Sequence, residues 1–329
     1  MVLIVNADNF VRAETDNYLA EFAKNGALGK FVHTREPAPI DEQDVVRLNR
    51  DTLYSQALFD LDAGDVTITL PDAGPRYMAL QIIDQDHYTH GVEHAPAKRV
   101  LSKADIGTRY VAALVRTLVD PGDEADVKEV HRLQDAISAR QAGTGAAELP
   151  AWDQKSLSAV RDALKVLGSG LSDFQHAFGA KDEVDPLRRL IGAAAGWGGN
   201  PDSEAMYIGA TPEMNDGRTV YQLSVKDVPV DGFWSVSVYN AAGYFEKNDR
   251  GAYSLNSITA GKDADGRITI QFGWLRRRGR QLPADHPGLE LSGAAIPATS
   301  RGARSQLDLP DGRACSSLTP TAAAGPFTG

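Results

Sequence analysis

DVTITL (65–70), PDAGP (71–75) and RYMALQIID (76–84) form the stretch whose reading decides the fold. The first block alternates polar and apolar residues, the period-2 pattern of a half-buried strand. The second is turn vocabulary, with proline presetting φ and glycine and aspartate tolerating tight bends. The third reads as another strand, entered from that turn. The order of β, α and β patterns in blocks along the chain, not in alternation, points to separate sandwich-like domains bridged by helices. β patterning extends outward from about Val46 to Leu118.

Upstream, Asn6 to Lys24 reads as a helix, with Val11, Tyr18 and Phe22 as its apolar stripe and Gly26 as its stop. Downstream, helical periodicity takes over: Glu124–Arg140 (Val127, Val130, Leu133, Ile137), Lys155–Leu167, and Pro186–Ala194, which Asp185 caps. Strand patterns return at 219–225, 233–239 and 267–272. The expected class is therefore mainly β with a helical middle. The expected segments are an N-terminal helix (1–30), a β-sandwich domain (31–120), a helical connector (121–200), a second β domain (201–273) and a tail (274–329).

The tail differs in kind. From Trp274 to Gly329 there is no Val, Lys, Tyr or Asn, and seven Arg stand against four acids. Shifting one base within permissible codons yields a string containing WNYLVRLY, an alternating strand. The tail is thus expected to be an out-of-frame, disordered segment without a regular strand, and the basic run Arg276–Arg280 is not read as a nucleic-acid patch.

Composition narrows the function classes. Net charge is -10, against nucleic-acid binding, which needs a basic surface. No run of 18 apolar residues predicts a membrane span. The N-terminus lacks a signal-peptide pattern, and the single cysteine, Cys315, supports no disulfide framework, so a cytoplasmic compartment is expected. No GxSxG elbow, phosphate loop or dinucleotide glycine fingerprint occurs.

Three polar clusters could carry chemistry. The first is Asn49, Arg50, Asp51 and Tyr54; Arg50 would hold a carboxylate bidentately or brace a domain. The second is Asp84, Asp86, His87, Tyr88, His90, Glu93 and His94, where His87 or His94 would be the general base. Its density would suit a divalent metal, a general base or a polar strand end; its spacing matches no standard metal site, and no metal or other cofactor is assigned. The third is Tyr239, Asn240, Asn248, Tyr253 and Asn256, either a pocket lining or turn-capping residues. Arg50, His87 and Tyr239 are expected to converge on one pocket.

NADNFVRAETD (6–16), REPAPID (35–41), RLNRDTLYS (47–55), DQDHYTHGVEH (84–94), AAGWGGNP (194–201), DVPVDGFWSVSVYNAAGYFEKND (227–249) and YSLNS (253–257) occur in order. In these motifs the chain resembles a bacterial family with paired domains of unknown function, numbered 1254 and 1214. The resemblance implies an immunoglobulin-like β-sandwich, a helical connector and a jelly roll, here incomplete at the C-terminus, and no established reaction. Three readings follow: a small-molecule binder with hydrolase- or lyase-type acid/base chemistry between its domains, a non-catalytic ligand-binding or scaffold module, and a non-functional frame-shifted product. A small polar ligand is the expected partner, and a homo-oligomer is compatible with the composition.

Overall fold

The structure is a computed structural model. It describes residues 2–43, 47–171, 173–210, 212, 214, 216, 219–248, 250–273, 281–282, 290–297 and 319–320. The chain divides into two compact units, Met1–Pro37 with Arg50–Ala205, and Ala38–Asn49 with Met206–Gly329.

The first unit opens with helix α1 (Phe10–Lys24). Its strands are β1 (Val32–His33), β2 (Thr52–Asp60), β3 (Val66–Leu70), β4 (Met78–Asp84), β5 (Thr89–His94), β6 (Ala97–Leu101), β7 (Tyr110–Leu118) and β8 (Ser138–Gln141). Between them lie α2 (Lys103–Ile106) and α3 (Glu124–Asp135), and after them α4 (Gln154–Gly168) and α5 (Pro186–Gly196). One sheet has the order β1-β2-β7-β4-β5 and the other β6-β3-β8. β3 and β4 therefore belong to different sheets, and the Pro71–Pro75 turn carries the chain from one to the other. Phe59, Ile68, Leu80, Ile82, Leu101 and Val115 are buried between the two sheets.

The opposite face of the five-stranded sheet is covered by α1, with Leu19 and Phe22 against Leu58, Ile83 and Leu114. α1 also packs on α4 and α5 through Phe10, Leu157, Leu164 and Ile191. That double burial explains why its polar residues Glu14, Thr15 and Asp16 are enclosed. The helix expected over Glu124–Arg140 stops at Asp135 and the chain continues as β8. There Ser138–Gln141 pairs with β3, a ladder whose backbone bonds outweigh the local helical pattern.

The second unit contains β9 (Met206–Ala210), β10 (Tyr221–Val225), β11 (Val230–Tyr239), β12 (Ser254–Asn256), β13 (Ile268–Phe272), β14 (Gln281–Leu282), β15 (Glu290–Pro297) and β16 (Thr319–Pro320). They form two sheets, β14-β13-β10-β16 and β12-β11-β15-β9. Trp234, Val236 and Val238 of β11 pack with Ile268, Ile270 and Phe272 of β13.

One expectation is corrected here. Glu290–Pro297 is a strand paired on both sides, with β11 and with β9. Sheet ladders are made by backbone groups, so eight residues without side-chain alternation can still satisfy the open edge of β11. The rest of the expectation about the tail lies mostly outside the described residues.

Candidate functional site

Strand register builds the site. Tyr54 lies opposite Arg116, Arg116 opposite Ala79, and Ala79 opposite His94. Directly paired residues share a face, so these four form one row across β2, β7, β4 and β5. With strands about 4.8 Å apart, the Arg116 and His94 backbones stand about 10 Å apart across the methyl of Ala79.

Arg116 interrupts the apolar strand YVAALVRTL (110–118) with a guanidinium. Its Nη1 donates to Oε1 of Gln81 at 2.7 Å and Oδ1 of Asn200 at 3.0 Å, and its Nη2 donates to the Gly198 carbonyl at 2.7 Å. The charge also lies 5.4 Å from the Tyr54 ring centre. These bonds fix the plane of the guanidinium.

At the other end of the row, His94 Nε2 and Glu204 Oε2 are 2.8 Å apart. The hydrogen bond that Nε2–H donates to Glu204 is the main reason that the His94 pKa is raised. The His94 side chain is 40% exposed and that of Glu204 14%, so the carboxylate is the enclosed member and the imidazole faces outward.

His87 is different. It follows β4 in a turn with φ 65°, at 4% exposure. Its Nε2 accepts the Gly198 N–H at 2.9 Å, and its ring stacks on Trp197 at 5.5 Å between centres. Burial, with the nearby Arg189 charge, lowers its pKa to about 3. A neutral imidazole whose lone pair is already bonded does not suit the general-base role expected of it.

The same turn explains the density of polar residues. Asp84 Oδ1 accepts from the backbone N–H of Asp86 and Tyr88, and Asp84 Oδ2 lies 2.8 Å from His90 Nε2. Gly91, at φ 106°, sits where the β4–β5 register slips, which returns Val92 and His94 to the face of Gln81 and Ala79. From α1, Arg12 bonds Asp86 at 2.6 Å, and Asp16 accepts from Gln85 at 2.8 Å and Trp152 at 3.0 Å. Burial raises the Asp16 pKa. Thr15 accepts from Trp197 Nε1 at 3.1 Å. Among the described residues no group of three or more His, Cys, Asp and Glu is arranged to hold a metal ion.

The expected convergence of Arg50, His87 and Tyr239 does not hold in the first unit. Thr52 pairs with Leu118 at the sheet end where β4 begins, and Arg50 precedes it, whereas His87 follows the other end of β4. At about 3.3 Å per residue that separation is about 20 Å, beyond an arginine's reach. Asp51 is buried with its carbonyl bonded to the Val119 N–H. Tyr88 lies against Arg189, whose Cζ is 4.4 Å from the ring centre.

Asn49 and Tyr239 belong to the second unit. Tyr239 is buried, donates its hydroxyl to the Leu48 carbonyl at 3.0 Å, and packs on Phe245 at 4.6 Å; Phe245 in turn meets Tyr253. The asparagines cap turns. Oδ1 of Asn240 accepts from Ala242 and Tyr244, that of Asn248 from Arg250 and Ala252, and that of Asn256 from Ile258 and Thr259. Oxygens spent on the backbone do not line a pocket, so the ligand-binding reading of these three is withdrawn.

Sequence reasoning missed Arg116, Glu204, Gln81 and Asn200. The available signal was a single charge inside an apolar strand.

Comparisons with known proteins agree on the fold. The model of a protein family of unknown function, DUF1254, matches residues 28–141, and that of a second, DUF1214, matches 204–287. The crystal structure of the VPA0106 protein from Vibrio parahaemolyticus superposes with a TM-score of 0.61 at 16% identity, covering 89% of this chain and 94% of that one. An uncharacterised protein from Burkholderia cenocepacia gives 0.51 at 15% identity, covering 88% and 84%. No curated protein matches. Among the described residues no helix is long and apolar enough to cross a membrane.

Proposed function

The chain belongs to the proteins that pair the DUF1254 and DUF1214 domains, and from that premise we propose that its first unit binds a small polar molecule along the Tyr54–Arg116–Ala79–His94 row. Arg116 and the Tyr54 ring hold the ligand's oxygen-bearing end. His94 exchanges a proton with it, as in hydrolase- or lyase-type acid/base chemistry. The observation that carries this reading is the 2.8 Å His94–Glu204 bond. A carboxylate accepting from Nε2–H fixes the tautomer, leaves Nδ1 as the proton acceptor, and strengthens it as a base.

The test uses the full chain and His94→Gln. p-Nitrophenyl acetate and small amides serve as probes, with rate followed against pH. The reading expects a rate that rises with pH through one ionisation above the ordinary histidine value and is lost in His94→Gln. Equal rates in both proteins at every pH overturn it.

A non-catalytic brace is the second reading. Arg116 bonds Gly198, Asn200 and Gln81, which would staple the 198–200 segment to the sheet. An Arg116→Gln variant that melts several degrees lower, with unchanged probe kinetics, selects the brace.

A further inference from the structure

α5 begins at Pro186, and its fourth residue, Arg189, lies across the 86–88 turn. Nη1 donates to the Asp86 carbonyl at 2.5 Å, and the guanidinium stacks on Tyr88. These two contacts fix the plane of the group. Among the described residues Arg189 has no carboxylate within ion-pair distance. The neighbouring carboxylate, Asp86, is bonded by Arg12 instead.

The remaining edge of the guanidinium is the fork made by Nε and Nη2. Nε is buried with no partner, and among the described residues Nη2 has none either. Between the two residues that Arg189 contacts, Asp86 and Tyr88, lies His87, 4% exposed, whose Nε2 lone pair is taken by Gly198. The imidazole proton therefore sits on Nδ1, which is also buried without a partner. Two enclosed donors without acceptors, on a half-buried guanidinium and the imidazole next to it, are costly as they stand. What would offset that cost is an acceptor with a negative charge.

We propose that the Nε/Nη2 fork of Arg189 and Nδ1–H of His87 together bind one small carboxylate. The fork matches two coplanar oxygens bidentately. Trp197 and Phe178 flank His87, and these apolar rings favour a compact monoanion over the more strongly hydrated phosphate dianion. Nη2, the member of the fork that is not enclosed, is the side from which the ligand enters. The site is independent of His94 and its chemistry.

The test is a thermal melt of the full chain at fixed ionic strength and pH, titrated with sodium acetate and, in parallel, with phosphate and chloride. Acetate is expected to raise Tm to a plateau set by binding to the folded state. Arg189→Gln, which keeps a donor for the Asp86 carbonyl, should bind acetate at least about tenfold more weakly, as loss of a charge-assisted pair of bonds implies. His94→Gln should respond like the parent. Should Arg189→Gln fail to fold, the parent alone decides through the His87 Nδ1–H resonance, which moves with acetate if the site is occupied. Identical acetate responses in parent and Arg189→Gln, a motionless His87 resonance, or a response to phosphate without one to acetate overturns the proposal.

Discussion

Gly198 donates its backbone N–H to Nε2 of His87 at 2.9 Å, and both residues hold left-handed backbone conformations, φ 77° and 65°. The carbonyl of the same glycine accepts from Arg116. One residue thus joins the turn after β4 to the strand carrying the cation, so the arginine end of the candidate site depends on its geometry. His87 is a structural acceptor in this arrangement, with consequences for stability that differ from those of a catalytic histidine.

His87→Phe keeps an aromatic volume but leaves the Gly198 N–H buried without an acceptor. The expected loss is about 1–3 kcal/mol, seen as a Tm lower by several degrees. The pH response follows from linkage. The His87 pKa is about 3 in the folded chain, below the ordinary 6.5. The unfolded chain takes up the proton first, so stability is fully present above 6.5 and falls as pH drops towards 3, by on the order of 4 kcal/mol. His87→Phe should lack that part of the acid slope. Denaturant midpoints at pH 7, 5 and 4 for both proteins check this, and parallel slopes refute it.

The glycines of AAGWGGNP should behave unequally. A Cβ on Gly199 would stand 2.4 Å from the Phe178 ring, and one on Gly198 3.3 Å from Leu114 in a backbone conformation that alanine resists. A Cβ on Gly196 meets nothing within 4 Å. Gly199→Ala should cost about 1–3 kcal/mol by overpacking and Gly198→Ala about 1 kcal/mol or more. Gly196→Ala, at a helix end, should be neutral or stabilising by up to about 1 kcal/mol. Equal melts for the three variants would show that the segment does not lie against the sheet.

Much of this architecture was legible because it rests on local period. β3 and β4 announced themselves through alternation and the turn signal between them, and α4 and α5 through helical spacing and an Asp-Pro cap. The site was less legible, since it depends on register. Nothing in the spacing of Tyr54, Arg116 and His94 places them in one row until the strand order β2-β7-β4-β5 is known. Proximity of polar letters was a weak guide in two ways. His87 and His94 are seven positions apart yet serve different roles, because one turns into the core and the other ends an edge strand. The asparagines of 240–256 left pocket lining and turn capping both open, and they are spent on turns.

Asn240→Ala and Asn248→Ala each remove a side-chain oxygen that accepts two backbone N–H groups. Each should lower the stability of the second unit by about 1 kcal/mol. p-Nitrophenyl acetate kinetics should be unchanged. A variant that melts like the parent yet alters those kinetics would return that asparagine to the list of ligand contacts.

Strand β15 gives a direct test of the tail. Ala294 pairs with Ser235 on one side and Tyr207 on the other. Proline there removes a ladder donor and fixes φ inside a strand with neighbours on both edges. Ala294→Pro should lower the melting of the second unit by an amount on the order of 3 kcal/mol, while Ala322→Pro, outside the described residues, serves as the comparison. If Ala294→Pro and the parent melt together, the tail contributes no strand.

The His94–Glu204 pair sets the last expectation. Glu204 raises the His94 pKa above 6.5, chiefly through the hydrogen bond, with burial opposing. The linkage sign is opposite to that of His87: the pair's contribution is fully present below 6.5 and is lost as pH rises through the folded value. With the imidazole 40% exposed, solvent screening keeps the net contribution under about 1 kcal/mol. Glu204→Gln should therefore leave Tm at pH 8 nearly unchanged and lower it slightly at pH 5.5. It should also move the His94 titration, followed by imidazole NMR, down towards the ordinary value. If His94 acts as the base, the pH at which p-nitrophenyl acetate turnover reaches half its maximum should fall with it, together with the maximal rate. A titration that shifts while the rate profile stays in place would leave His94 as a surface ion pair and remove it from the chemistry.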